Sequence, residues 1–172
     1  MYKKPKKRFV YDKDIQRKIY SVSKKVVVDD INEYNRIHPK GRIIKANIFG
    51  TISRGEMGVY VRKYANKRYG SDIDVVCLVE EKFKAPKSWH FMNNWGGFDE
   101  YMVDTVERHL PELGERKDLP LHPIKFLIFV PGKHDIKLAK QYSGIDERHS
   151  RRNGWPVHTW YVDKPALRRY NR

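Results

Sequence analysis

Phe49-Gly50-Thr51-Ile52-Ser53-Arg54-Gly55 and Ser71-Asp72-Ile73-Asp74-Val75-Val76-Cys77-Leu78-Val79 stand near the two ends of the stretch from Ile48 to Glu80, and their reading decides the fold. Ile73 to Val79 is almost continuously apolar, which predicts a buried strand. Side chains alternate between the faces of a strand, so Asp72 and Asp74 project side by side at its start. Two such carboxylates make a cation seat, because Mg²⁺ takes oxygen ligands and is usually held by one or two carboxylates plus substrate phosphates. Upstream, Ile43 to Phe49 predicts a strand that delivers a turn at Gly50, where the missing Cβ lets backbone N–H groups approach a phosphate. Between the two, Val59, Tyr60, Lys63, Tyr64 and Lys67 suit a helix from Glu56 to Tyr69, closed by Gly70. Its start near Gly55 would offer N–H groups to an anion. Arg54 suits either a phosphate contact or a structural salt bridge, and Arg62, Lys63, Lys67 and Arg68 read as a solvated face.

Outward from this unit, Asp12 is a candidate N-cap for an amphipathic helix. Ile15, Ile19, Val22 and Val26 follow at helical spacing, Ile31 and Tyr34 continue it, and His38-Pro39-Lys40-Gly41 ends it. Lys84 opens a loop, and Trp89 to Gly97 is rich in aromatics, amides and glycine. Trp89, Phe91 and Trp95 there read as packing residues or as base-stacking rings. Phe98, Met102, Val106 and Leu110 recur at four-residue steps and predict a second helix up to Pro111. Ile124 to Val130 predicts a central buried strand ended by Pro131-Gly132. Asp135 to Tyr142 reads as a short helix and Val157 to Val162 as an edge strand. Arg148, Arg151 and Arg152 cluster beside a turn at Asn153-Gly154.

A chain of 172 residues that is 40% hydrophobic predicts one domain with a sizeable core. The expected organisation is a flexible basic arm at 1–10, the domain at 11–165 and a basic tail at 166–172. The net charge of +15, from 36 Lys and Arg against 21 Asp and Glu, favours polyanions such as RNA, DNA or a nucleotide, and solubility alone would also account for it. Cys77 is the single cysteine, which excludes an intramolecular disulfide and suits a buried, inert thiol. The sequence shows neither a membrane-length apolar run nor a signal-peptide pattern, so a soluble, cytoplasmic protein without a membrane partner is expected. The histidines show no zinc-ligand spacing.

A phenylalanine-glycine-hydroxyl turn, then Arg54-Gly55, then Ser71-Asp72-Ile73-Asp74 entering an apolar strand resembles the signature of the polymerase-beta-type nucleotidyltransferase superfamily, especially its minimal members. The likeness covers about a fifth of the chain. It implies a single α/β domain with a mixed β-sheet flanked by helices. By the same resemblance Gly50 and Thr51, with Ser53 and Arg54, bind a nucleoside triphosphate, and the catalytic pair Asp72 and Asp74 holds Mg²⁺ or Mn²⁺. Thr51 replaces the family's serine and keeps its hydroxyl, while the interval from Gly55 to Ser71 is longer than in minimal members. Active relatives carry a third carboxylate near the start of a neighbouring strand. The corresponding position here is Lys125, with Asp118 and Asp135 as substitutes or as loop and capping residues. The implied activity is transfer of a nucleoside monophosphate to a hydroxyl of a nucleic-acid or protein acceptor. The alternatives are a catalytically weakened nucleic-acid-binding module and an antitoxin-like partner of a toxin protein.

Overall fold

The computed structural model describes residues 7–61, 68–113, 122–143 and 158–172. Strand β1 (Lys7–Val10) leads into helix α1 (Lys13–Ile37). The Asp12 side chain accepts from the N–H groups of Asp14 and Ile15, giving partners to donors that the first turn leaves unpaired. Asp12→Ala should therefore lower stability by about 1 kcal/mol. That loss would be read as a lower urea midpoint at unchanged slope, and an unmoved midpoint would show that other contacts hold the helix start. The helix buries Ile19, Val26, Val27, Ile31 and Tyr34 and stops at His38, before Pro39.

Strands β2 (Ile43–Phe49) and β5 (Ile73–Val79) have the expected bounds, and β8 (Pro123–Phe129) lies where a central strand was expected. With β6 (His90–Asn94), β7 (Asp99–Thr105) and β9 (His158–Val162) they form a six-stranded sheet in the order β6-β7-β8-β5-β2-β9. Among the described residues only β5 and β8 pair in parallel, so the sheet is mixed and the architecture is mixed α/β. One face packs on α1, with Ile73, Val75, Cys77, Ile124, Phe126 and Ile128 meeting Ile19, Val27 and Ile31. On the other face Val76, Leu127 and Phe129 meet Ala139 of helix α2 (Ile136–Ser143), and Ile44 and Leu78 meet Ala166 of helix α3 (Lys164–Tyr170). Burial on both faces explains why β5 and β8 read as unbroken apolar runs. Cys77 is buried as expected, and burial raises its thiol pKa above the ordinary value. Among the described residues no helix is long and apolar enough to cross a membrane.

Several expectations need correction. Instead of a helix at Glu56–Tyr69, strands β3 (Gly58–Val61) and β4 (Arg68–Gly70) join β1 in a second antiparallel sheet; residues 62–67, with Arg62, Lys63 and Lys67, lie outside the described ones. The β-branched and aromatic run Val59-Tyr60-Val61 suits a strand once β1 offers a partner. Gly58 is required there, because a Cβ would stand 1.9 Å from the Phe9 carbonyl oxygen. The expected helix through Phe98, Met102, Val106 and Leu110 is instead β7 followed by single turns at Val106–Arg108 and Pro111–Leu113. A four-residue step also spans two periods of a strand, so the spacing alone does not separate the two. The loop at Trp89–Gly97 contains β6, and Lys7 with Arg8 of the expected arm belongs to β1. Residues 166–172, read as a tail, mostly continue α3, with Ala166 1% exposed. The α2 and β9 readings agree with the structure, β9 being a sheet edge. Asp118, the Arg148 cluster and residues 1–6 lie outside the described residues.

Candidate metal and nucleotide site

Antiparallel pairing of β2 with β5 sets Phe49 opposite Asp74, so the chain turns at Gly50 directly against that carboxylate. Gly50 has φ +78°, and a Cβ added there would lie 3.5 Å from Asp74 Oδ2. A single 3₁₀ turn, Ile52–Arg54, follows and ends at Gly55 in the left-handed region. The Ser53 hydroxyl donates to the Gly50 carbonyl at 2.7 Å, and the Thr51 hydroxyl points to Met57 Sδ at 3.4 Å. Ser53 and Thr51 thus brace the turn through their side chains. Arg54 forms an exposed ion pair, with Nε 3.0 Å from Glu56 Oε2. Because β3 follows Gly55 in place of the expected helix, no helix N-terminus stands there to face an anion. The turn is anchored to α1 by Gln16, whose amide donates to the Met57 carbonyl at 2.7 Å and accepts its N–H at 3.0 Å.

The entry to β5 is held from the other side. Ser71 Oγ exchanges hydrogen bonds with the Gly58 N–H and carbonyl. His122, fully buried, lies 2.8 Å from the Ser71 carbonyl through Nδ1. A carbonyl only accepts, so Nδ1 carries the proton and Nε2 accepts the Tyr11 hydroxyl at 2.9 Å. Burial lowers the His122 pKa, against the Ser71 hydrogen bond and the charges of Glu107 and Asp72, in keeping with a neutral ring. Asp72 leaves this clamp with its direction set.

Parallel pairing places Lys125 of β8 beside Asp74, and β7 brings Glu100 to the same face. Lys125 Nζ lies 2.6 Å from Asp72 Oδ2 and 3.1 Å from Glu100 Oε1. Burial opposes its charge, yet the bonds and charges of Asp72 and then Glu100 raise the ammonium above the ordinary lysine value. Asp74 is pushed up to about 7, first by burial and then by the charge of Asp72, with Glu100 adding to the rise and Lys125 opposing it. Glu100, 8% exposed, also accepts the Trp95 indole N–H at 2.7 Å.

Glu100 is the acidic residue that sequence reasoning missed. The helix reading of 98–110 gave it no strand face to share with Asp74. Its signal lay in Tyr101-Met102-Val103, where an aromatic and a β-branched residue suit a strand. Asp135, a suggested third acid, instead accepts the N–H groups of Lys137 and Leu138 at the start of α2.

The oxygen donors of Asp72 and Asp74 suit a hard divalent cation. Fully ionised, three carboxylates and one ammonium leave two net negative charges, the charge that one such cation neutralises. Lys125 stands among the acids, and among the described residues no group of three His, Cys, Asp or Glu side chains is already disposed around a metal position. The fit is therefore to one cation on the Asp72/Asp74 pair, with Lys125 a fixed positive neighbour. Compared with protein-family models, curated proteins and solved structures, the chain matches none, so the reading of this site rests on these residues.

Proposed function

We propose that the protein is a divalent-metal-dependent nucleotidyltransferase that moves a nucleoside monophosphate from a triphosphate to a hydroxyl of a nucleic-acid or protein acceptor. The observation that carries this reading is the β2–β5 register, which sets the Asp74 carboxylate against the Gly50 turn beside Asp72. A bound Mg²⁺ or Mn²⁺ would neutralise triphosphate charge and polarise the reacting phosphoryl group. Asp72 and Asp74 would hold it, and Asp74 would give up its proton as the cation approaches. The Gly50 turn leaves room for phosphate close to that seat. Lys125 fixes the Asp72 carboxylate and supplies positive charge toward phosphate oxygens, while Glu100 positions Lys125. In the transfer the acceptor oxygen bonds to the α-phosphorus, the bond to the β-phosphate oxygen breaks, pyrophosphate leaves and the hydroxyl proton passes to solvent or a carboxylate.

The two ion pairs of Lys125 favour a second reading, a weakened relative that binds nucleic acid without transfer. One experiment separates the two. Protein is incubated with Mg²⁺ or Mn²⁺, each labelled nucleoside triphosphate, and RNA, DNA or protein acceptors. Label transfer with pyrophosphate release, lost in Asp72→Asn, is the expected result. No transfer under any condition, together with metal-independent nucleic-acid binding that weakens with salt at a log–log slope of about −0.7 to −0.9 per phosphate neutralised, would replace it with the second reading.

A further inference from the structure

We propose that the exposed ring of Trp95 is the platform on which the base of the bound nucleotide stacks. This inference rests on the nucleotidyltransferase reading and names the part of the site that takes the base. Tryptophan rings are generally well buried, yet Trp95 is 60% exposed. Its polar edge is nevertheless fixed, since Nε1 donates to Glu100 at 2.7 Å. From Glu100 the line of contacts runs through Lys125 to Asp72, so the ring is tied to the proposed cation seat by two residues.

The hairpin bearing the ring is also braced. Trp95 N–H donates to the Phe98 carbonyl at 3.0 Å, and Gly96 N–H donates to Asn94 Oδ1 at 2.9 Å. Gly97 packs so closely on α2 that a Cβ would meet Leu138 Cδ2 at 2.6 Å. A platform that is ordered before the ligand arrives loses little conformational freedom on binding. The hairpin itself suits a base better than a phosphate: Ser88 to Phe98 contains no Asp, Glu, Lys or Arg in a chain that is 33% charged, and the neighbouring Lys133 and Asp99 are paired with each other at 2.6 Å. Phosphates would sit at the Gly50 turn and Lys125, and the uncharged base on Trp95. Every base has a π-face, so this contact supplies affinity with little discrimination among bases.

The test uses the full-length protein with Mg²⁺ and titrates ATP, CTP and inorganic tripolyphosphate, which carries the phosphates without a base. Trp95→Leu should weaken ATP and CTP about tenfold or more and leave tripolyphosphate unchanged. Trp95→Phe, which keeps a ring and loses the bond to Glu100, should retain most of the nucleotide affinity. ATP should quench wild-type fluorescence where tripolyphosphate does not, and the difference should vanish in Trp95→Phe, a readout that survives if the leucine variant fails to fold. Unchanged ATP affinity in folded Trp95→Leu would overturn the inference. So would equal weakening of ATP and tripolyphosphate, which would make Trp95 a positioning residue acting through Glu100. If wild type bound neither ATP nor tripolyphosphate, the nucleotidyltransferase reading would fail and the platform with it.

Discussion

Asp74→Asn is expected to cut nucleotide transfer sharply and to make the protein more stable above neutral pH. The folded-state pKa of about 7 lies well above the ordinary carboxyl value, so the folded protein keeps a proton that the unfolded chain has released. Stability from this group is therefore present at low pH and is lost as pH rises from about 4 through about 7. Asparagine has the same shape and does not titrate, so the variant escapes that loss. Because Asp74 remains partly solvated, the gain is discounted to about 2 kcal/mol, or a melting temperature higher by about 4–8 °C in mildly alkaline buffer without metal. Near pH 4 the two proteins should melt together. Transfer should fall on the order of a thousandfold, since a negative ligand is lost from the cation seat. A melting difference that did not change with pH would remove the assigned titration, and wild-type transfer by the variant would remove the metal role.

Lys125→Met tests the other charge in the cluster. Methionine keeps much of the stem's packing and removes the ammonium that bridges Asp72 and Glu100. Without divalent metal the variant should lose about 2 kcal/mol near neutral pH, because two carboxylates are left without their partner in a largely buried place. The same change removes a like charge from the neighbourhood of an incoming cation, so Mn²⁺ should bind about tenfold more tightly or better. It should also raise the melting temperature more than in wild type. Transfer should decrease even so, since the phosphate loses the cation fixed beside the seat. Lys125 lowers the Asp74 pKa, so the activity that remains should have its pH dependence moved upward. If Mn²⁺ stabilised variant and wild type equally, Lys125 would be a structural ion-pair partner only.

Much of the scaffold was legible because its signals are local. The runs Ile43–Phe49 and Ile73–Val79 announce buried strands by composition, Asp12 announces the start of α1, and Pro39 announces its end. The Asp-x-Asp spacing places both carboxylates on one face once the strand is granted. The segment after Gly55 was misread because Val59, Tyr60 and Val61 take the form their neighbours support. Here β1 arrives from a distant part of the chain to pair with them. The Phe98 segment was misread because steps of four keep one face in a helix and in a strand alike.

By itself the sequence determined the mixed α/β composition, the two strands that meet at Gly50 and Asp74, the pair Asp72/Asp74 and the strongly basic charge, all of which follow from residue type and short-range period. The tertiary structure alone decided that β7 pairs with β8 and carries Glu100 to Lys125, and that Trp95 is tied to the same cluster. Those contacts join positions far apart in the chain. They arise from strand register and from the need of each buried charge for an opposite one, and neither is written in the spacing of nearby residues.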